Sequence, residues 1–422
     1  MRLEGIHPYF TIVVAFCHCL YRLFSSFKKI FIEGSPLSSE ERAAWTSEQT
    51  RRVLRRSCAA KGAGGEVSVF IAALLLLLTA CQPAEEPVLI PEPEAFASII
   101  YPSDNPTTRA GLALGRDLFF DPILSADSTI SCGTCHQPER AFTDGLEKSI
   151  GIYGRVGRRN APGLTNVGYL YETLFWDGRA DNLEAQALHP IAEANEMGGS
   201  WPLVVSKLRQ HADYWPRLQE AFGLTAKKEL SPDHVGKALA QFQRSLISGD
   251  SKYDRVERGV DTYDELEALG YAIFFDLADD PDGAFANLPT GECAHCHTPP
   301  HFTNQRFFNN GLDLAHDLAD FDDAGRGAIT ENPFDRGVFR TPTLRNIALT
   351  APYMHDGRMK TLAEVVDHYN SGGQYAENRS ANVFPLGLNP RQKAGLLAFL
   401  QTLTDTSFVN NENYRPLQLS GE

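Results

Sequence analysis

Two Cys-x-x-Cys-His motifs are the residues of this chain whose types and spacing point most directly to chemistry. They comprise Cys132, Cys135, His136, Cys293, Cys296 and His297. In such a motif the two thiols add to the vinyl groups of a haem, and the adjacent imidazole binds the iron. A zinc knuckle or a redox dithiol is the alternative, but zinc ligands usually lie within one local module. We therefore expect two covalent c-type haems, with His136 and His297 as proximal iron ligands.

The other four of the eight cysteines lie near the N-terminus, and Cys81 follows an apolar run over residues 67–80. This run has the length of a signal-peptide core and is too short to span a bilayer comfortably. The residues ending at Cys81 resemble a lipoprotein cleavage box, with a plain secretory signal as the alternative. We predict a leader over 1–81 whose start codon is assigned too far upstream, or else an N-terminal anchor. A Pro- and Glu-rich tether over 82–95 would follow.

The charge of the chain limits the kinds of molecule that it is expected to bind. The formal net charge is −14, which makes nucleic acid an unfavourable partner. An acidic surface suits a small soluble electron donor with a basic contact patch, such as a cytochrome c or a cupredoxin. Because c-type haem is attached outside the cytoplasm, we expect a periplasmic protein that meets the membrane only through a lipid anchor.

An internal duplication surrounds the two motifs. Residues 114–121 match residues 269–276 without a gap, and each copy precedes a motif. Each motif is followed by Phe-Thr-Asp or Phe-Thr-Asn, at 142–144 and 302–304. A repeat of this kind predicts two homologous cytochrome c-type domains with one covalent haem each.

The hydrophobic spacing is helical in several segments, and few strand patterns occur. The predicted helices cover residues 112–119, 235–247, 266–274 and 390–403. We therefore expect a mostly α fold with long haem-wrapping loops. A turn near Gly249 and Asp250 divides it into an N-terminal domain, 96–249, and a C-terminal domain, 250–422.

Over about residues 96–405 the chain resembles the bacterial di-haem cytochrome c peroxidase family, which includes the MauG proteins. Besides the haem motifs and the Leu-Gly-x-x-Leu-Phe-Phe-Asp segment, the resemblance rests on residues 159–162, 175–180, 341–346 and 350–357. It implies that hydrogen peroxide is reduced at the N-terminal haem with electrons relayed through the C-terminal haem.

The resemblance also implies catalytic residues. Glu196 and Gln186 match the acid–base pair that the family uses in peroxide cleavage, and a shielded Glu would have a raised pKa. A lone Glu in a loop would otherwise be surface charge. Trp176 matches the tryptophan between the two haems, although core packing is an alternative role for it.

Further residues are implied as ligands. Asn160, Thr350 and Pro352 match the positions that bind a calcium ion at the domain interface, partly through backbone carbonyls. Arg340 matches a position that meets a haem propionate, with a surface salt bridge as the alternative.

Two departures from the family pattern affect the irons. Ile152 occupies the register of a histidine that caps the N-terminal iron in many relatives, so this iron should be open, with the neighbouring Tyr153 packing or lining the pocket. Tyr369 occupies the place of the usual methionine at the C-terminal iron, as in MauG. The competing ligands there are Met354, Met359 and His368.

Three functions are compatible with these residues. The first is a di-haem peroxidase, and the second is a MauG-type enzyme that oxidises side chains of a partner protein. The third is a di-haem electron carrier without catalysis. Ile152 and the Gln186–Glu196 pair argue against the carrier, because a carrier needs both irons closed by protein ligands.

Overall fold

Thirteen α-helices and one two-stranded ribbon form the regular structure of residues 87–277 and 288–416, the part of the chain that the computed structural model describes. The helices are α1 (Arg109–Phe120), α2 (Cys132–Cys135), α3 (Leu183–Ala192), α4 (Trp201–Gln210), α5 (Tyr214–Phe222), α6 (Pro232–Arg244), α7 (Lys252–Glu257), α8 (Glu265–Phe274), α9 (Cys293–Cys296), α10 (Gly327–Thr330), α11 (Leu362–Ser371), α12 (Pro390–Gln401) and α13 (Thr406–Val409). Strands β1 (Phe307–Phe308) and β2 (Phe339–Arg340) pair antiparallel. The predicted mostly α fold is confirmed.

A close crossing of α1 and α6 organises the first half of the chain. Helix α1 begins after Thr108, whose side-chain oxygen accepts a hydrogen bond from the Gly111 amide at 3.0 Å. A methyl group on Gly115 would lie 1.9 Å from the carbonyl oxygen of Ala238 in α6. The glycine therefore allows the two backbones to touch, and the apolar face of α1 is buried at the crossing.

The second half repeats this crossing with α8 and α12. A methyl group on Gly270 would lie 1.9 Å from the carbonyl oxygen of Gly395. Gly115 and Gly270 are equivalent in the sequence repeat, since each follows the leucine that opens the matched segment. The duplication therefore extends from sequence to helix packing.

Each crossing lies in a hydrophobic core of its own. The first core gathers buried residues between Leu114 and Leu246, and the second gathers residues between Tyr253 and Leu403. Phe408 in α13 departs from this division, because it packs in the first core. The C-terminal segment thus returns across the expected boundary near residues 249 and 250.

The predicted helices lie within or close to the observed ones. The largest shift is in α6, which begins and ends three residues before the predicted 235–247. Pro232 fits the first helical turn because it needs no amide donor there. At the other end, the Ser245 hydroxyl donates to the Phe242 carbonyl at 2.7 Å.

The segment before α1 is fastened to the body of the protein. The Val88 amide donates to the Thr107 carbonyl at 2.7 Å, Ile90 is buried, and the Tyr169 hydroxyl donates to Glu92. Val88, Ile90 and Glu92 therefore hold this part of the expected tether against the body of the protein, although the residues between them are exposed. The predicted leader and Cys81 lie outside the described residues, within which no helix is long and apolar enough to cross a membrane.

Candidate haem sites

Both motif histidines are oriented in the same way. His136 and His297 each follow a one-turn helix, and their Nδ1 atoms lie 2.7 Å from the Phe142 carbonyl and 3.1 Å from the Phe302 carbonyl. A carbonyl oxygen only accepts hydrogen bonds, so each Nδ1 carries the hydrogen and each Nε2 keeps a free lone pair. This is the second-shell arrangement that orients a metal-binding imidazole, and it fits a proximal iron ligand.

Burial keeps both imidazoles neutral at pH 7. It lowers the pKa of His136, and it lowers the pKa of His297 to about 4, against weaker opposing effects of the hydrogen bonds. The neutral form is the one that binds a metal. Both motifs therefore present a suitable ligand without a competing proton.

Glu196 lies near the first motif, in a turn that folds back on α3. Two backbone hydrogen bonds close this turn, from Gly198 to Glu193 at 2.9 Å and from Gly199 to Ile191 at 2.7 Å. Burial raises the pKa of the Glu196 carboxyl, and the charge of Arg179 partly offsets the effect. The Glu196 carboxylate is therefore a shielded group beside a fixed cation.

The charge of Glu196 affects the pKa values of both thiols of the first motif. Burial raises the pKa of Cys132 to about 12 and that of Cys135 to about 11, and in both cases the charge of Glu196 contributes a further increase. Burial is also the main cause of the raised pKa of Glu196 itself, so its carboxyl is not a freely solvated surface charge, and its catalytic role stays a prediction.

Ile152 lies directly against the Glu196 turn. Its amide donates to the Glu196 carbonyl at 2.8 Å, and its side chain is fully buried and packs against Gly198. The hydrocarbon side chain has no atom that binds iron. Tyr153 is 68% exposed beneath the guanidinium of Arg155, so the expectation that it packs is wrong, while a place in the wall of the pocket stays a prediction.

Gln186 lies on α3, two turns before the Glu196 turn, and is half-buried. Within the described residues its side chain makes no hydrogen bond to Glu196. Gln186 therefore lies on the helix and Glu196 in the turn that follows it, without a direct bond between them in the described residues.

A cavity of about 250 Å³ adjoins the second motif, and Cys293, Cys296 and His297 line it. Among the other lining residues are the predicted site residues Trp176, Asn160, Arg340, Thr350, Pro352, Met354 and Tyr369. Seven residues chosen from sequence thus meet in one place, although they come from both halves of the chain.

Tyr369 and Met354 are the two candidate axial ligands on the cavity wall. The Nδ2 atom of Asn310 lies 3.3 Å from the Tyr369 hydroxyl and 3.5 Å from the Met354 sulfur. Burial raises the pKa of Tyr369 to about 12, and the Asn310 hydrogen bond opposes the shift. His368 is turned elsewhere, since its Nε2 lies 3.0 Å from the Asn310 carbonyl.

Trp176 is held between the two halves of the chain. Its indole nitrogen donates to the Asn160 carbonyl at 2.9 Å, and its own carbonyl accepts from the Arg340 amide at 2.8 Å. The indole is therefore fixed at the edge of the cavity, and its role between the haems stays a prediction.

Arg340 is a buried cation on the same wall. Its Nε atom donates to the Phe175 carbonyl at 3.0 Å, and burial lowers its pKa to about 10. Among the described residues no carboxylate pairs with it. A buried guanidinium without an anion is costly, so the site fits an anionic group and the surface salt bridge is excluded.

The three residues predicted to bind calcium line the same wall of the cavity, and the side chains of two of them make other hydrogen bonds. The Asn160 side-chain amide donates to the Leu146 carbonyl at 2.8 Å, and the Thr350 hydroxyl donates to the Ile347 carbonyl at 3.1 Å. Their oxygens can still accept a cation, which suits a hard ion bound by carbonyls. The calcium site stays a prediction.

Comparison with known proteins agrees with this geometry. The sequence model of the di-haem cytochrome c peroxidases matches residues 109–262. The methylamine utilization protein MauG of Methylorubrum extorquens is 38% identical over 311 residues, which are 72% of this chain and 81% of that protein. The cytochrome c551 peroxidase of Nitrosomonas europaea is 34% identical over 292 residues, which are 69% of this chain and 79% of that protein.

This chain belongs to the di-haem cytochrome c peroxidase family. A solved MauG-like protein associated with microbial copper homeostasis has the same fold, with a TM-score of 0.67 and 35% identity over 79% of this chain and 99% of that one. The chain is therefore an oxidoreductase of the cytochrome c peroxidase type. Its family implies two c-type haems, and the two motifs stay their predicted attachment sites.

Sequence reasoning missed a second part of the repeat in this di-haem peroxidase. Residues 174–180 and 353–359 form equivalent turns, each closed by an antiparallel bridge and each with a left-handed residue, Phe175 or Met354. The signal that could have revealed it is Asp-Gly-Arg, which occurs once in each segment.

It also missed an ion-pair chain that begins in the first of these turns. Asp177 accepts from Arg179 at 3.1 Å and from Arg159 at 2.6 Å. Arg159 also holds Asp323, from the second half, through two hydrogen bonds of 2.7 and 2.8 Å. This ion-pair chain connects the segment that carries Trp176 and Arg179 with the C-terminal half.

Proposed function

We propose that this enzyme reduces hydrogen peroxide to water at its N-terminal haem, with electrons that pass through its C-terminal haem. The observation that carries the proposal is the pairing of Glu196 with Ile152. A shielded carboxylate lies near the first haem motif, and the side chain in the register of the capping histidine has no atom that binds iron.

The protein's contribution to the reaction is to move protons. A haem bound at the first motif supplies the iron that binds peroxide and the electrons that enter its O–O bond. Glu196 accepts a proton from one peroxide oxygen and delivers it to the departing oxygen, which leaves as water. Two electrons and two protons convert one peroxide into two waters. Gln186 on α3 provides the polar partner, and Arg179 restrains the pKa of Glu196.

At the second motif, protein ligands would complete the coordination of the iron, and the chain would provide the route for electron transfer. Tyr369, with Met354 as the alternative, would bind the iron of a haem held at the second motif, and Arg340 would bind one of its propionates. Trp176, fixed by Asn160 and by Arg340, stands on the route between the haems. Asn160, Thr350 and Pro352 would hold a calcium ion on the same cavity wall.

A second candidate is the oxidation of side chains in a partner protein. The resemblance to MauG proteins and the tyrosine at the second iron favour it. A phenolate ligand stabilises ferric iron and lowers its potential, which makes higher oxidation states easier to reach. A simple electron carrier is less compatible with Glu196 and Ile152.

The proposed surroundings follow from the same arguments. A small cytochrome c or a cupredoxin donates the electrons to this acidic chain in the periplasm. Cys81, outside the described residues, is the proposed lipid attachment point.

Electron paramagnetic resonance of the oxidised holoprotein tests the proposal. We expect one high-spin ferric signal from the open first haem and one low-spin signal from the closed second haem. Two low-spin signals, unchanged on addition of peroxide, would refute an open peroxidatic iron.

A further inference from the structure

Three stacked or edge-on rings and one carboxylate join the two halves of the chain. We call this group the junction cluster, and it consists of Glu92, Phe96, Tyr169 and His301. Glu92 and Phe96 come from the segment before α1, Tyr169 from the 3-10 turn Val167–Tyr169, and His301 from the loop after the second haem motif. None of these residues takes part in the proposed peroxide chemistry.

Tyr169 lies at the centre of the junction cluster and is only 4% exposed. Its ring stacks on the His301 imidazole, with centroids 4.3 Å apart and planes 28° apart. Phe96 meets both rings edge-on, at 5.4 Å from Tyr169 and 4.6 Å from His301. The rings are therefore in van der Waals contact and shielded from water.

The cluster is connected to the second haem site by a short path. His301 precedes Phe302, whose carbonyl accepts the Nδ1 hydrogen of the proximal ligand His297 at 3.1 Å. On the other side of Tyr169, the next residue, Leu170, lines the cavity of that haem. Burial and the charge of Arg345 lower the pKa of His301 to about 4, so the stacked imidazole is neutral.

Tyr169 also has a proton acceptor in place. Its hydroxyl donates to Oε2 of Glu92 at 3.1 Å, and the same oxygen accepts the Ile99 amide at 2.9 Å. Burial, followed by the charge of Glu92, raises the pKa of Tyr169 well above its usual range, so the phenol stays protonated. A phenol that is oxidised must lose its proton, and a hydrogen-bonded carboxylate lets both leave together.

We propose that Tyr169 is a redox-active tyrosine, with Glu92 as its base, that supplies an electron when peroxide oxidises the protein and no donor is bound. Hydrogen peroxide takes up two electrons and two protons to give two waters. One electron comes from Tyr169 and the other from the haem pair, while the phenolic proton moves to Glu92. The donor later returns two electrons, one to the haem pair and one to Tyr169, and Glu92 gives the proton back to the phenol. This inference rests on the proposed peroxidase function.

The test is to add hydrogen peroxide to the oxidised holoprotein without a donor, freeze the mixture within seconds, and record electron paramagnetic resonance. Protein that contains ring-deuterated tyrosine identifies a tyrosyl radical by its narrowed hyperfine structure. We expect such a radical in the wild type. Tyr169→Phe keeps the stacked ring but should lose most of the signal, and Glu92→Gln should lower its yield several-fold.

Two matched variants serve as controls. Tyr171→Phe removes an exposed phenol two residues away, and Tyr214→Phe removes another buried phenol that donates to a carboxylate, Asp121, at 2.7 Å. Both should keep the radical. An equal tyrosyl signal in Tyr169→Phe, its loss in either control instead, or no tyrosyl radical while the haem absorption changes would overturn the proposal.

A second oxidant separates this inference from the proposed function. If peroxide leaves the haem absorption unchanged, the peroxidase function fails. Flash-generated tris(bipyridine)ruthenium(III), a one-electron oxidant, then tests Tyr169 without peroxide. A tyrosyl signal that Tyr169→Phe removes supports the redox role, and the same signal in both proteins rejects it.

Discussion

Glu196 is the proposed proton-transfer group because its carboxyl is largely shielded from water and its charge acts on the two thiols of the first motif. We predict that Glu196→Gln lowers the rate of peroxide reduction by about 100- to 10,000-fold, the usual contribution of a general acid–base group. Steady-state assays with reduced cytochrome c measure the rate. Glu193→Gln, an exposed residue of the same turn, is the control, and an unchanged rate in Glu196→Gln would show that another group moves the proton.

Arg179 should set the pH at which Glu196 works. Proton uptake from peroxide requires the ionised carboxylate, and burial raises the pKa of Glu196 while Arg179 lowers it. Peroxide reduction should therefore fall towards acid pH. In Arg179→Met the fall should occur at higher pH. Second-order rate constants measured over a pH series check this, and overlapping profiles would separate Arg179 from the chemistry.

Tyr369 and Met354 are the two candidate ligands of the second haem iron, and both lie within reach of the Asn310 amide. We predict that Tyr369→Phe alters the low-spin resonance of the oxidised protein, whereas Met354→Leu leaves it intact. The reverse result would assign the iron to the Met354 sulfur. Haem content measured in parallel confirms that both variants are loaded.

At the scale of elements, the two glycine-mediated crossings carry the duplicated architecture. Gly270→Ala places a methyl group against the Gly395 carbonyl, a backbone atom that cannot rotate away. The helices must separate, so we expect the free energy of unfolding to fall by about 1–3 kcal/mol. Urea denaturation measures it. Gly157→Ala, where the nearest atom lies at an ordinary 3.4 Å, should be near neutral, and equal stability of both variants would argue against the crossing.

Sequence predicted the elements well where the signal is local. Helical spacing located α1, α8 and α12, and the motif spacing located the two histidines, because both patterns repeat over a few residues. The Gly115 and Gly270 crossings were visible only as part of a matched segment. The need for glycine at these positions depends on which helix packs against them, and no local sequence pattern identifies that helix.

Other features of the site could not be predicted because they depend on distant partners. The bond between Arg159 and Asp323 joins residues far apart in the chain. Tyr153 was expected to pack, but the turn that buries Ile152 against Glu196 directs the next side chain outward. The junction cluster went unnoticed because Glu92 falls in a segment whose composition predicts a tether.

At the scale of the whole molecule, the ion-pair chain through Arg159 should make stability depend on acid. Burial alone would raise the pKa of Asp323, but hydrogen bonds from Arg159 and the Gly325 amide hold it at about 2. Its ordinary value is about 3.9. The carboxylate therefore stabilises the fold fully above pH 4, and this contribution disappears as the pH falls from about 4 to 2.

We expect Asp323→Asn to lower the free energy of unfolding at pH 7 by about 1–2 kcal/mol. On acidification, the free energy of unfolding of this variant should then fall less than that of the wild type. Urea denaturation at pH 7, 4 and 3 measures both effects, and Asp322→Asn at the adjacent exposed position is the control.

Because Arg159 also holds Asp177 beside Trp176, loss of the Arg159–Asp323 ion pair should slow electron transfer between the haems as well. Wild-type stability together with wild-type transfer in Asp323→Asn would mean that the two halves are held in register by the hydrogen bonds of Trp176 and Arg340 alone.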